Sequence, residues 1–275
     1  MKIRLDKFLT VGIMILLFFG CDMNESSSNN KTNSNDSYFK KENFNTSIKN
    51  LQVSIVNDGD TSSYKDYSSM MFESEHTERF LYWAIIMANK FEYVPAHLDV
   101  FNCILESYVC GDISRLNEID QRTFELMNYH LLKASELEEA QVIQEVIDSI
   151  GYNGNSDYNG CSKYTDGSEI QTLKGDTNAY KKVYIESTEL DFPPSRFLFW
   201  AIFMSNRYHY PLAYGHVYES LLDPTYFEGD LYLDEKTHDL ALDYLEKFDS
   251  LSPNVKDYYR GLSWMDFEKK NLGNN

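Results

Sequence analysis

The chain has 275 residues, enough for one or two buried cores, and 15% of them are aromatic, a composition that packs rather than stays unfolded. Its formal net charge of −18 would repel phosphates and argues against nucleic acid as a partner. Such a charge suits simple solubility or a basic protein partner.

Lys2, Arg4 and Lys7 precede an apolar run, Phe8–Phe19, and Gly20-Cys21 follows. The run is short for a membrane span and is flanked like an export signal, so residues 1–20 are expected to be a signal peptide. Leu17-Phe18-Phe19-Gly20-Cys21 resembles the lipobox of bacterial lipoproteins. That resemblance implies cleavage before Cys21, its acylation, and a lipid anchor in the cell envelope. Phe18 departs from the family pattern, where Leu is usual. The alternative is an ordinary secretory signal, or an uncleaved anchor, with Cys21 incidental. Residues 21–50 are rich in Ser and Asn and lack an apolar period, so a disordered tether is expected.

The rest of the chain is organised by an internal repeat. Phe80–Phe91 reads FLYWAIIMANKF, and Phe197–Tyr208 reads FLFWAIFMSNRY. Phe80, Trp83, Ala84, Met87 and Phe91 share one helical face, and Leu81, Ile85 and Ala88 line the next. A helix apolar on most sides belongs between other helices, so this stripe reads as core rather than a ligand box. Thr77 and Ser195 are expected as its N-caps, and Asn89 and Asn206 as closing residues.

Gly59-Asp60-Thr61 opens the first unit and Gly175-Asp176-Thr177 the second. Each reads as a turn plus N-cap rather than a phosphate-holding loop, since no Lys-Ser/Thr follows. Pro95 and Pro211 fit the first turn of the next helix. Further helices are expected over 124–134 and 238–248, introduced by Asp120 and Asp234, with last helices over 137–150 and about 253–267. The units are thus 51–150 and 170–275, joined by a linker, 151–169.

Ala96, Gly111, Asp120, Leu132, Lys133, Ala134 and Ala140 carry a second resemblance. Ala213, Gly229, Asp234, Ala241, Tyr244, Leu245 and Lys247 repeat it. The pattern resembles the Sel1-like branch of tetratricopeptide-type repeats. The paired loop glycines are incomplete, and Leu137 and Ser250 stand where that family has Gly. The resemblance implies a solenoid presenting a face to other proteins, with no enzyme activity.

Cys103, Cys110 and Cys161 show no zinc spacing. Cys103 and Cys110 lie about 10 Å apart along a helix, too far for a disulfide. Cys161 could pair with either. Asn155, Asp157, Asn159, Gly160 and Asp166 echo a calcium loop, but Asp166 replaces the bidentate Glu and Ser162 an apolar residue. A plain linker is the better reading, and no metal or cofactor is expected. No HExxH, GxSxG or Walker pattern occurs, and no catalytic residue is expected. His216 and Glu219, three apart, read as a surface ion pair.

The expected fold is all-α, with α-solenoid-like helical hairpins in two internally repeated units. The expected function is a membrane-anchored envelope lipoprotein with a protein-binding domain. One alternative is an immunity-type lipoprotein that neutralises a toxin. Another is an envelope enzyme acting on cell-wall glycan, which tyrosines around paired carboxylates in a cleft would favour.

Mass spectrometry of the mature protein should find an acylated cysteine, Cys21, at its N-terminus, and Cys21→Ala should release or stall the protein. An unmodified N-terminus elsewhere would remove the anchor.

Overall fold

The computed structural model describes residues 47–154, 156–164, 167–189, 197–222 and 233–251. They lie within one compact unit, 45–275, and the fold is all-α: helical hairpins in two internally repeated units. Cys21 and the predicted signal lie outside the described residues.

Helix α1 covers 47–58, so helix begins a few residues before the expected tether boundary at 50. Helix α2, Thr61–Glu73, starts at Asp60, whose carboxylate accepts the amides of Ser62 and Ser63. The equivalent α8, Thr177–Glu189, starts at Asp176, which accepts from Asn178 and Ala179. Both Gly-Asp-Thr motifs are therefore caps, with their first-turn amides already occupied. The preceding glycines have positive φ, +63° at Gly59 and +86° at Gly175. A Cβ at Gly59 would fall 2.4 Å from Phe91, and one at Gly175 would fall 2.7 Å from Tyr208. Phe91 and Tyr208 are equivalent repeat positions, so each copy closes the same aromatic ring over the same glycine.

The repeated stretches form α3, Leu81–Lys90, and α9, Leu198–Tyr208. Every residue from Leu81 to Asn89 and from Leu198 to Asn206 is buried. The Trp/Met stripe is core, as its period predicts. The caps differ from expectation. A 3-10 turn, Thr77–Arg79, leads into α3, and no side chain caps the helix. The turn already satisfies amides such as Phe80 N, which bonds to the Thr77 carbonyl. Thr77 is thereby freed to pair with Ser107. Ser195 lies outside the described residues. Nor do the asparagines close the helices. Glu92 and His209 take the left-handed position, each with φ 51°, and Tyr93 and Tyr210 send their amides back to Met87 and Met204.

Helices α4, Val94–Val109, and α10, Pro211–Leu221, fold back on α3 and α9. Helices α5, Gln121–Lys133, and α11, Glu235–Leu251, fold back in turn on α4 and α10. Asp120 and Asp234 cap them by accepting the amides of Thr123 and Thr237. Helix α6, Glu138–Ile150, ends the first copy, and α7, Gly167–Leu173, precedes α8. The counterpart of α6 expected at 253–267 lies outside the described residues.

The copies also exchange contacts, since α3 packs against α11 and α9 against α5. Asn89 donates to Thr237 at 3.1 Å, and Asn206 donates to Thr123 at 3.0 Å. Equivalent asparagines thus reach equivalent threonines, each in the other copy.

The segment 151–164 is stitched to α4. Cys110 and Cys161 form a disulfide with Cα atoms 5.3 Å apart, and Cys103 stays free and buried. Arg115 donates to Glu118 and to the Gly160 carbonyl, and Asn159 donates to Glu118. Lys163 meets the buried Glu78 at 3.3 Å. Asn155 and Asp166, two of the positions needed for a calcium loop, lie outside the described residues.

Because the copies interlock, the fold should unfold in one step, with fluorescence and circular dichroism transitions coinciding. Thr237→Val keeps the shape but strands the Asn89 amide in the core, and should cost about 1–3 kcal/mol in chemical denaturation. Two separate transitions, or a neutral Thr237→Val, would contradict the interlock.

Candidate functional site

Where the seam between the copies meets solvent, two clefts open on either side of Arg122. The larger, about 860 Å³, is walled by the start of α5, the end of α9 and α11. The smaller, about 350 Å³, lies between the end of α3, α5 and α11. Both fall within the size range of small-molecule sites.

Arg122 projects from α5 of the first copy and pairs with Asp243 on α11 of the second. Its guanidinium lies 3.9 Å from the Tyr244 ring centroid and 5.7 Å from that of Tyr214. Two aromatic faces and a carboxylate therefore hold one planar cation in place. Arg207 backs the larger cleft, donating to the Tyr108 hydroxyl and to the Glu118 carbonyl at 2.6 Å. Asp120 also lines it, but its carboxylate accepts from Thr123 and Tyr108. Burial pushes the Asp120 carboxyl above its ordinary range, against those hydrogen bonds. Tyr208, predicted for the core face, is instead 37% exposed and lines this cleft.

The smaller cleft shares Arg122, Glu125 and Asp243 with the larger and adds Asn89, Leu126, Tyr129, Lys236 and Leu240. His130 lies at its floor, buried and 2.8 Å from His97, Nδ1 to Nδ1. Burial lowers His97 to about 4 and His130 to about 3, so both are neutral near pH 7 and one ring donates to the other. Asn89 Oδ1 is buried with no hydrogen-bond partner.

The clefts hold tyrosines and carboxylates together, the arrangement expected of the glycan-enzyme alternative. Two of these carboxylates are engaged within the fold, Asp120 in its cap and Asp243 with Arg122. Glu125 accepts from Gln121 at 2.8 Å and is exposed. Among the described residues no cluster of His, Cys, Asp and Glu could hold a metal ion.

The reading of His216 and Glu219 as a surface ion pair is corrected. His216 is buried against Tyr180, whose hydroxyl lies 2.8 Å from its Nδ1, and its ring stacks on Tyr184 at 4.1 Å. Burial lowers His216 to about 4, so its ring is neutral, and raises Glu219 to about 7, so its carboxyl holds a proton up to about neutral pH. The first copy places Asp99 where His216 stands, and Tyr64 donates to it at 2.7 Å.

Neither Arg122 nor the two asparagines stood out in the sequence as site residues. A signal was present: a polar Asn repeated in both copies of an otherwise apolar helix, and a Thr repeated after each capping Asp. No family model, curated protein or solved structure matches the chain.

The raised Glu219 carboxyl makes stability depend on pH. The folded state holds this proton more tightly than the unfolded chain, so stability is lost as pH rises from 4.5 through about 7. Glu219→Gln should therefore stabilise the protein at pH 8, by on the order of 2 kcal/mol, and leave it nearly unchanged at pH 4. Equal effects at both pH values in thermal unfolding would contradict the assignment.

Proposed function

We propose that the protein is a lipoprotein of the bacterial cell envelope, anchored through Cys21, whose helical domain binds a protein partner and performs no catalysis. Export is supported by the lipobox-like run and by the Cys110–Cys161 disulfide, because such bonds persist in oxidising compartments. Repeats of the Sel1-like type are part of the same reading. Ala96, Ala134 and Ala140 are buried, as are Ala213 and Ala241.

The acidic outer face of α6 carries the binding reading. Glu138, Glu139, Glu145 and Asp148 on the helix, and Glu136 in the turn before it, are all exposed. Among the described residues none of the five is in an ion pair. Such a face attracts a basic partner over a Debye length of about 8 Å at physiological salt. The sharper form of the reading is an immunity-type lipoprotein whose partner is a basic toxin. The tyrosine-bearing cleft favours a second reading, an envelope enzyme acting on cell-wall glycan.

Affinity capture from envelope extract, with tethered residues 43–275 as bait, separates these. One stoichiometric partner held at low salt and lost at high salt is expected. Replacing Glu138, Glu139 and Glu145 with Gln should weaken capture severalfold while leaving the fold intact. No partner at either salt, together with release of soluble fragments from purified cell wall, would favour the enzyme instead.

A further inference from the structure

The two copies use one scaffold but finish it differently, and the difference falls at the smaller cleft. In the second copy both amide hydrogens of Asn206 are used. Its Nδ2 donates to Thr123 at 3.0 Å and to the Tyr244 hydroxyl at 2.9 Å, and its Oδ1 lies 3.5 Å from the Ser205 hydroxyl, which also donates to the Ile202 carbonyl at 3.0 Å. In the first copy Asn89 keeps only the equivalent threonine, Thr237. Ala88 stands where the second copy has Ser205, and His130 stands where it has Tyr244. His130 turns instead to His97. Asn89 is only 7% exposed, and its Oδ1 has no partner. Whichever way the amide is turned, one polar atom stays buried and unbonded, which costs about 1–3 kcal/mol. An incoming ligand would recover that cost.

The cleft beside Asn89 carries charges of both signs. Arg122, paired with Asp243, and Lys236, paired with Glu92 at 3.4 Å, line about 350 Å³ together with Glu125, and Leu126, Leu240 and Tyr129 supply apolar wall. Two cations against two carboxylates disfavour a ligand of net charge and match one carrying both signs. The volume suits one or two amino-acid residues.

We propose that this cleft binds a small zwitterion with an α-ammonium and a carboxylate, either a free amino acid or a short peptide. The ammonium donates to Asn89 and Glu125, the carboxylate accepts from Arg122 or Lys236, and the side chain rests on the Leu126–Leu240 wall. None of the cleft's residues belongs to α6, so this site is independent of the protein-binding reading and of capture at its acidic face.

Isothermal titration of the mature, acylated chain in detergent micelles tests it, with free amino acids, dipeptides, N-acetyl amino acids and amino-acid amides as probes. Binding by at least one free amino acid or dipeptide is expected, weakened tenfold or more when its amine is acetylated or its carboxylate amidated. Free amino acids binding would identify that source, and dipeptides alone would identify peptide. His130→Tyr places a tyrosine where the second copy has Tyr244, and should cut affinity at least tenfold while thermal unfolding still shows a folded protein. Glu125→Gln and Lys236→Gln change exposed side chains and should each weaken binding severalfold. Absence of heat with every zwitterionic probe would overturn the proposal. So would binding that survives amine acetylation, or that is untouched by both His130→Tyr and Glu125→Gln.

Discussion

Two hydrogen bonds buried in an apolar seam govern this structure. Apolar helices such as α3 and α9 gain about 1.5–3 kcal/mol for each large side chain they bury, but that gain is nearly blind to register. The Asn89–Thr237 and Asn206–Thr123 bonds are not. Sliding either helix by a turn would leave an amide and a hydroxyl unpaired in the core, a penalty comparable with a large part of a domain's stability. Polar pairs in an otherwise apolar interface therefore select one arrangement of the two copies. The clefts follow from that arrangement, because their walls come from α5 of one copy and α11 of the other.

A second constraint acts on the connection between the copies. Residues 151–164 are rich in Gly, Asn and Ser, the composition of a slack linker. Their path is nevertheless held by a disulfide, by the Arg115–Glu118–Asn159 cluster and by Lys163 on buried Glu78. Arg115 and Asn159 hold the Glu118 carboxyl down at about 2, so this cluster stays charged over the whole physiological range.

Duplication gives such a scaffold freedom to diverge. Both copies retain the glycine under an aromatic ring, the capping Asp and the cross-copy Asn–Thr bond. They differ where these supports leave room: Asp99 against His216 beside a buried tyrosine, and His130 against Tyr244 beside the bridging asparagine. One copy closes its amide with internal partners. The other leaves an acceptor unmet beside a cleft.

Much of this was legible in the residues. The helical class, the repeat, the burial of the Trp83 and Trp200 stripes, and the caps at Asp60 and Asp176 follow from local periodicity and capping, which operate within a few residues of chain. Tertiary structure decided the rest. Thr77 lost its capping role because a 3-10 turn satisfied the helix amides, and Asn89 and Asn206 were drawn into bonds spanning 148 and 83 residues. Cys110 rather than Cys103 met Cys161 because of where the linker runs, and His216 went inward because Tyr180 and Tyr184 closed over it. A sequence states which groups are polar and how they are spaced along one element. Which of them meet across the seam depends on how whole helices pack, and that is settled only when both copies are folded together.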